Sequence, residues 1–146
     1  MTKTDKAVEL FQNGLNCAQA MLTVFGEPYG IDEQMARKLG RPLGGGLGRM
    51  GLSCGAVSGA TLVLGLARGI KPDEAEARAE VFPAVREFIQ RFHERHGSSL
   101  CRDLLGADMS TEAGAKKVKE EKLVPQVCPG VMRDAADILE DILGRG

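Results

Sequence analysis

From Met50 to Ala67 the chain runs eighteen residues without a charged side chain, close to the length that spans a bilayer. Its makeup argues against a span. Gly51, Ser53, Cys54, Gly55, Ser58, Gly59, Thr61 and Gly65 make the stretch rich in small and polar side chains, so it reads as a buried helix closely approached by its neighbours. Gly51, Gly55 and Gly59 do match the small-xxx-small pattern of packed membrane helices. Close packing is common to both settings, and here amphipathic elements from the rest of the chain must do the surrounding.

Those elements are helical. Small or apolar residues at Ala7, Leu10, Phe11, Gly14, Leu15, Ala18, Met21, Leu22 and Phe25 recur at helical spacing, with a break at Asn13-Gly14 and Asn16 capping a second segment from Cys17. Asp32 caps a short helix that ends at Gly40 before Pro42. Ser53 is expected to cap the uncharged helix, Cys54 to about Arg68, closed by Gly69. Pro72 and Asp73 open the longest pattern, with Ala75, Ala79, Phe82, Val85, Ile89 and Phe92 as its expected buried face and Pro83 expected to kink or divide it. Ser98 or Ser99 caps a turn holding Cys101, a polar helix covers roughly 111–122, and the final helix is expected to begin at Cys128-Pro129. No run alternates with period two. An all-α bundle of six to eight helices follows, one four-cysteine domain over residues 1–146.

Length and charge narrow the function classes. At 146 residues the chain can bury a core without disulfides. Nineteen basic against twenty acidic residues leave a formal charge of −1, so no global field draws in nucleic acid or anionic lipid. The start, Met1 to Asp5, passes into an amphipathic pattern without the apolar stretch of a secretory signal. A cytoplasmic setting, where thiols stay reduced, is the expectation.

The cysteines then need an explanation of their own. Cys17, Cys54, Cys101 and Cys128 each fall at or next to an expected helix start, where unpaired backbone N–H groups and a partial positive charge favour thiolate, the form that attacks disulfides and binds metals. Four such sulfurs can hold zinc, ligate an iron–sulfur cluster or work as two exchanging pairs. Buried, inert thiols are the alternative. Spacings of 37, 47 and 27 residues lack the Cys-x-x-Cys pairs of most zinc ribbons, of simple ferredoxins and of thioredoxin-like sites. Any site must therefore be assembled by the tertiary fold.

Other residues compete for roles. Gly46-Leu47-Gly48-Arg49-Met50-Gly51 matches G-x-G-x-x-G, yet no strand precedes it, so a turn positioning Cys54 is the better account than a dinucleotide site. Arg49 can hold an anion or a substrate carboxylate there, or simply face solvent. His93 and His96 share a helix face and can serve as metal ligands or as a base for a thiol, or balance a helix dipole. Gly55 and Gly59, one turn apart, let a cofactor or another helix approach their backbone. The charged run 116–122 reads as a solvated helix face.

Cys17 in the context Asn16-Cys17-Ala18-Gln19-Ala20, the hexapeptide Cys54-Gly55-Ala56-Val57-Ser58-Gly59, Cys101-Arg102-Asp103-Leu104-Leu105-Gly106 and Cys128 follow one another in an order that resembles the C_GCAxxG_C_C family of redox-active proteins. The resemblance covers nearly the whole chain. It implies that the four cysteines act together, and a similar cysteine module in some multi-centre redox proteins with an iron–sulfur centre favours a cluster over zinc. The leading expectation is a metal or iron–sulfur centre on Cys17, Cys54, Cys101 and Cys128, with Gly55, Gly59 and Arg49 around it, carrying electrons for an unidentified redox partner. A metal-free thiol–disulfide oxidoreductase is the first alternative. A non-enzymatic helical module with structural zinc or buried thiols is the second. The packing glycines also make a homodimer plausible.

Overall fold

A computed structural model gives the structure, described for residues 1–145. Helix α1 (Lys3–Gln12) is capped by Thr2, whose side chain accepts from the Asp5 N–H while the Asp5 carboxylate accepts from the Thr2 N–H. The chain breaks at Asn13-Gly14 as the pattern requires and restarts as α2 (Cys17–Phe25). Asn16 caps α2 with a second reciprocal box: its Oδ1 accepts from Gln19 N at 2.8 Å, and Gln19 Oε1 accepts from Asn16 N at 3.0 Å. The same two side chains also reach α3 (Glu33–Gly40). Asn16 Nδ2 donates to the Gly40 carbonyl and Gln19 Nε2 to that of Arg37, which fixes the end of α3 against the start of α2.

The uncharged stretch becomes α4 (Gly55–Arg68), with Gly55, Ala56, Val57, Gly59, Ala60, Val63 and Leu64 buried. Among the described residues no helix is long and apolar enough to cross a membrane. Around α4 lie α2, α5 (Glu74–His96) and α8 (Leu123–Gly144), with α1 against α2 and α8. Their core holds Met21, Leu22, Phe25, Phe88, Phe92, Met132, Ile138 and Leu139. A smaller cluster of Cys101, Leu105 and Val118 joins α6 (Cys101–Leu105) and α7 (Glu112–Glu120) to the first turns of α8. The described residues thus form eight α-helices, and their only extended pairing is an isolated bridge between Ser53 and Leu100.

Four details depart from the sequence expectation. The cap of α4 is Cys54 rather than Ser53, because Ser53 is taken up in the bridge to Leu100. Leu100 occupies the cap position of α6, with the Ser98 hydroxyl accepting from its N–H. α5 continues undivided through Pro83, where the carbonyl that loses its partner is that of exposed Ala79. α8 starts at Leu123, five residues before Cys128. Pro125 in its first turn has no intrahelical N–H bond to lose, and Pro129 forfeits only one.

The buried face of α5 also differs. Phe88 and Phe92 are fully buried and Val85 and Ile89 partly, while Ala75, Ala79 and Phe82 are exposed. α8 reaches only the second half of α5, where Arg91 pairs with Asp141 at 2.7 Å, Arg95 with Asp134 at 3.1 Å, and Glu87 with Arg145. The first half extends past that contact.

Gly40 tests the α2–α3 approach: a Cβ there would stand 2.7 Å from Gln19 N and 2.8 Å from its Cα. Backbone cannot yield as a side chain can, so Gly40→Ala should cost about 2–3 kcal/mol in urea unfolding. Gly65→Ala, with open space around the new methyl, should instead add about 0.5–1 kcal/mol.

Candidate functional site

Helix contact brings the first two cysteines together. A Cβ on Gly55 would lie 3.1 Å from both Cys17 Cβ and Ala18 N, and one on Gly59 would lie 3.0 Å from Met21 Cβ and 3.2 Å from Ala18 Cα. α2 therefore packs on bare α4 backbone, and Cys17, the first residue of α2, sits beside Cys54, the cap of α4.

The glycine-rich loop supplies the third. Gly45, Gly46, Leu47, Gly48, Arg49 and Gly51 all have φ between +58° and +74°, so the segment coils back on itself, with Gly48 N donating to Pro42 O, Gly51 N to Gly45 O and Leu52 N to Gly46 O. Its end is tied to α6: Cys101 N donates to Leu52 O at 2.6 Å and Cys54 N to Ser99 O at 2.8 Å. Gly46 is the tightest point, since a Cβ there would stand 2.5 Å from Leu52 N and 2.8 Å from Cys101 Cβ. Cys128 arrives from α8, one and a half turns into the helix rather than at its start.

All four cysteines line one cavity of about 800 Å³. Its walls are apolar on the α6–α8 side, through Leu104, Leu105, Val118, Val124 and Val127, and glycine backbone on the other, through Gly44, Gly45, Gly46 and Gly55. Arg41, Arg49 and Lys119 are the charged residues of the lining. Cys54 and Cys101 are 6% and 9% exposed, whereas Cys17 and Cys128 are half-buried. All four are free thiols. Gly55 lies on the cavity wall and Gly59 does not; Gly59 serves the α2–α4 contact. His93 and His96 lie outside the lining: His93 Nε2 is 3.2 Å from Ser99 Oγ, and His96 stacks on Phe92 and faces Asp134.

Burial and contact divide the thiols into two kinds. Burial pushes Cys101 up to about 12, with the charges of Cys54 and Cys128 adding to it. Burial likewise raises Cys54 to about 11, against the pull of the Ala56 and Val57 N–H groups that open α4. Cys17 is raised well above 9.0, first because its thiol donates to Cys128 and then by burial; Cys128 falls below 9.0 because it receives that hydrogen bond. Of the two, Cys128 is thus the more readily deprotonated. The four thiols are soft donors, but among the described residues no group of three or more His, Cys, Asp or Glu side chains is arranged to hold a metal ion. A site for one ion does not fit the side chains as they stand.

A family model described as "Putative redox-active protein (C_GCAxxG_C_C)" matches residues 15–142, a stretch that contains every one of these cysteines. The chain belongs to the C_GCAxxG_C_C family. No curated protein and no solved structure matches it. In this member of the C_GCAxxG_C_C family, the hexapeptide glycines are the surface against which α2 carries Cys17. Arg41 and Lys119 are lining residues that sequence reasoning missed. Neither stands in a motif, and only the fold puts them beside the thiols.

Two measurements follow. Alkylation with iodoacetamide, mapped by mass spectrometry across pH, should modify Cys128 before Cys54 and Cys101 at neutral pH, and Cys17→Ala should move the Cys128 profile to higher pH. Gly59→Leu should separate α2 from α4 and abolish this preference for Cys128; a folded variant with an unchanged labelling pattern would show that the contact does not position the site.

Proposed function

We propose that this protein is a thiol–disulfide redox protein in which Cys17 and Cys128 form the working pair. The carrying observation is the cavity itself: four free thiols line it, and the neighbouring two, Cys17 and Cys128, are its more exposed members. The Cys128 thiolate attacks a disulfide of the partner, forming a mixed disulfide and releasing one partner sulfur as thiolate. Cys17 then gives up its proton to that thiolate and attacks the Cys128 sulfur. The second partner sulfur leaves as thiolate, so the partner gains two electrons and this chain ends with a Cys17–Cys128 disulfide. Cys54 and Cys101, buried and held protonated, are suited to receive the disulfide by exchange or to stay as reduced neighbours.

A second reading, an iron–sulfur centre on Cys17, Cys54, Cys101 and Cys128 used in electron transfer, is supported by the convergence of all four thiols on one cavity. Such a cluster needs its ligands around several atoms rather than one, and would supply one-electron chemistry when bound.

Anaerobic purification with iron analysis, an absorption spectrum and a thiol count separates the two. The thiol–disulfide reading expects iron-free, colourless protein that loses two thiols reversibly on oxidation. Cys17→Ser should trap the mixed disulfide on Cys128, and Cys128→Ser should lower the rate of oxidation at least 100-fold. Stoichiometric iron with a coloured spectrum would replace this reading with the cluster.

A further inference from the structure

The cations on the cavity wall have no role in the chemistry above. Arg41, Arg49 and Lys119 all line the cavity and are all exposed, so the cavity reaches solvent where they stand. Among the described residues no Asp or Glu lines it. Among the described residues none of the three takes part in an ion pair, which holds equally for Arg68, Arg86 and Arg102; what sets Arg41, Arg49 and Lys119 apart is their place on the cavity. The lining of the thiol cavity thus carries three cations and, among the described residues, no carboxylate.

The placement of Arg49 is built by the backbone. Its φ is +64°, a region that side-chain-bearing residues seldom adopt and in which glycine or asparagine would sit with less strain. Gly45 makes room for its stem, because a Cβ there would stand 2.7 Å from Arg49 Cγ.

We propose that the cavity binds low-molecular-weight disulfides that carry carboxylates, with Arg41, Arg49 and Lys119 holding the carboxylates while the disulfide reaches Cys128. This rests on the thiol–disulfide reading and names its substrate class. The volume of about 800 Å³ lies in the range of small-molecule sites, room for a ligand of peptide size and too little for a folded protein. Guanidinium forks pair with carboxylates through two parallel hydrogen bonds, which would orient the disulfide as well as attract it.

The experiment compares three disulfides as oxidants of the reduced protein: oxidised glutathione, which is anionic, bis(2-hydroxyethyl) disulfide, which is neutral, and cystamine, which is cationic. Each rate is divided by that of the same reagent with free dithiothreitol, removing intrinsic reactivity. The anionic reagent should be favoured about tenfold over the cationic one, a preference that shrinks as salt is raised. In the triple variant Arg41→Gln, Arg49→Asn, Lys119→Gln the ratio should fall to about one, and the neutral reagent's rate, measured alongside, corrects for any change in thiol reactivity; asparagine keeps the positive φ at 49 tolerable. No charge preference in the unmodified protein, or one that survives the triple substitution, overturns the substrate class and leaves the thiol–disulfide reading standing. Failure of all three reagents to oxidise the protein overturns that reading and this one with it.

Discussion

Helix α2 meets helix α4 backbone to backbone at Gly55 and Gly59, with Ala18 and Met21 filling the space that larger side chains would take. Buried neighbours on α5 and α8 close over the same pair, so the core and the cysteine cavity share one constraint. Interior packing leaves little slack, and a methylene inserted at such a contact moves whole helices. The meeting of the first two cysteines follows from this closeness: Cys17 begins one of the two helices and Cys54 caps the other.

The same four side chains do not behave alike, and the reason is local. A thiol buried among apolar walls loses hydration mainly in its charged form, which raises Cys101 and Cys54. Two N–H groups at the start of α4 oppose burial at Cys54 without overcoming it. At Cys128 the direction reverses because a neighbouring thiol donates to it. A helix start is therefore not what lowers a thiol here. Cys128 lies inside α8, and its partner decides its character.

The glycine-rich segment gives the site its other wall. Six left-handed residues between Gly45 and Gly51 let the chain coil without a strand before it, and the bonds from Cys101 and Arg102 to Leu52 and Gly51 hold the coil against α6. Sequence periodicity alone shows a G-x-G-x-x-G string. Its backbone work in this fold is to position Cys54 and Cys101 and to hold Arg49 at the cavity.

The sequence by itself determined the helices and most of their ends, because caps such as Thr2, Asn16, Asp32, Asp73 and Thr111 act within a few residues of chain. It also determined that the cysteines belong to one family pattern, since the pattern is written in residue order. Where a local signal competed with a distant partner, it failed. Ser53 was drawn into a bridge with Leu100, Phe82 was left outside because α8 stops short of it, and Cys128 sits inside a helix that two prolines do not prevent from starting early. Only the tertiary structure decided which sulfurs are neighbours, that His93 and His96 lie apart from them, and that Arg41 and Lys119 join Arg49 at the cavity. Contacts between residues 37 to 111 positions apart depend on how helices pack, and a linear pattern carries no distance across that packing.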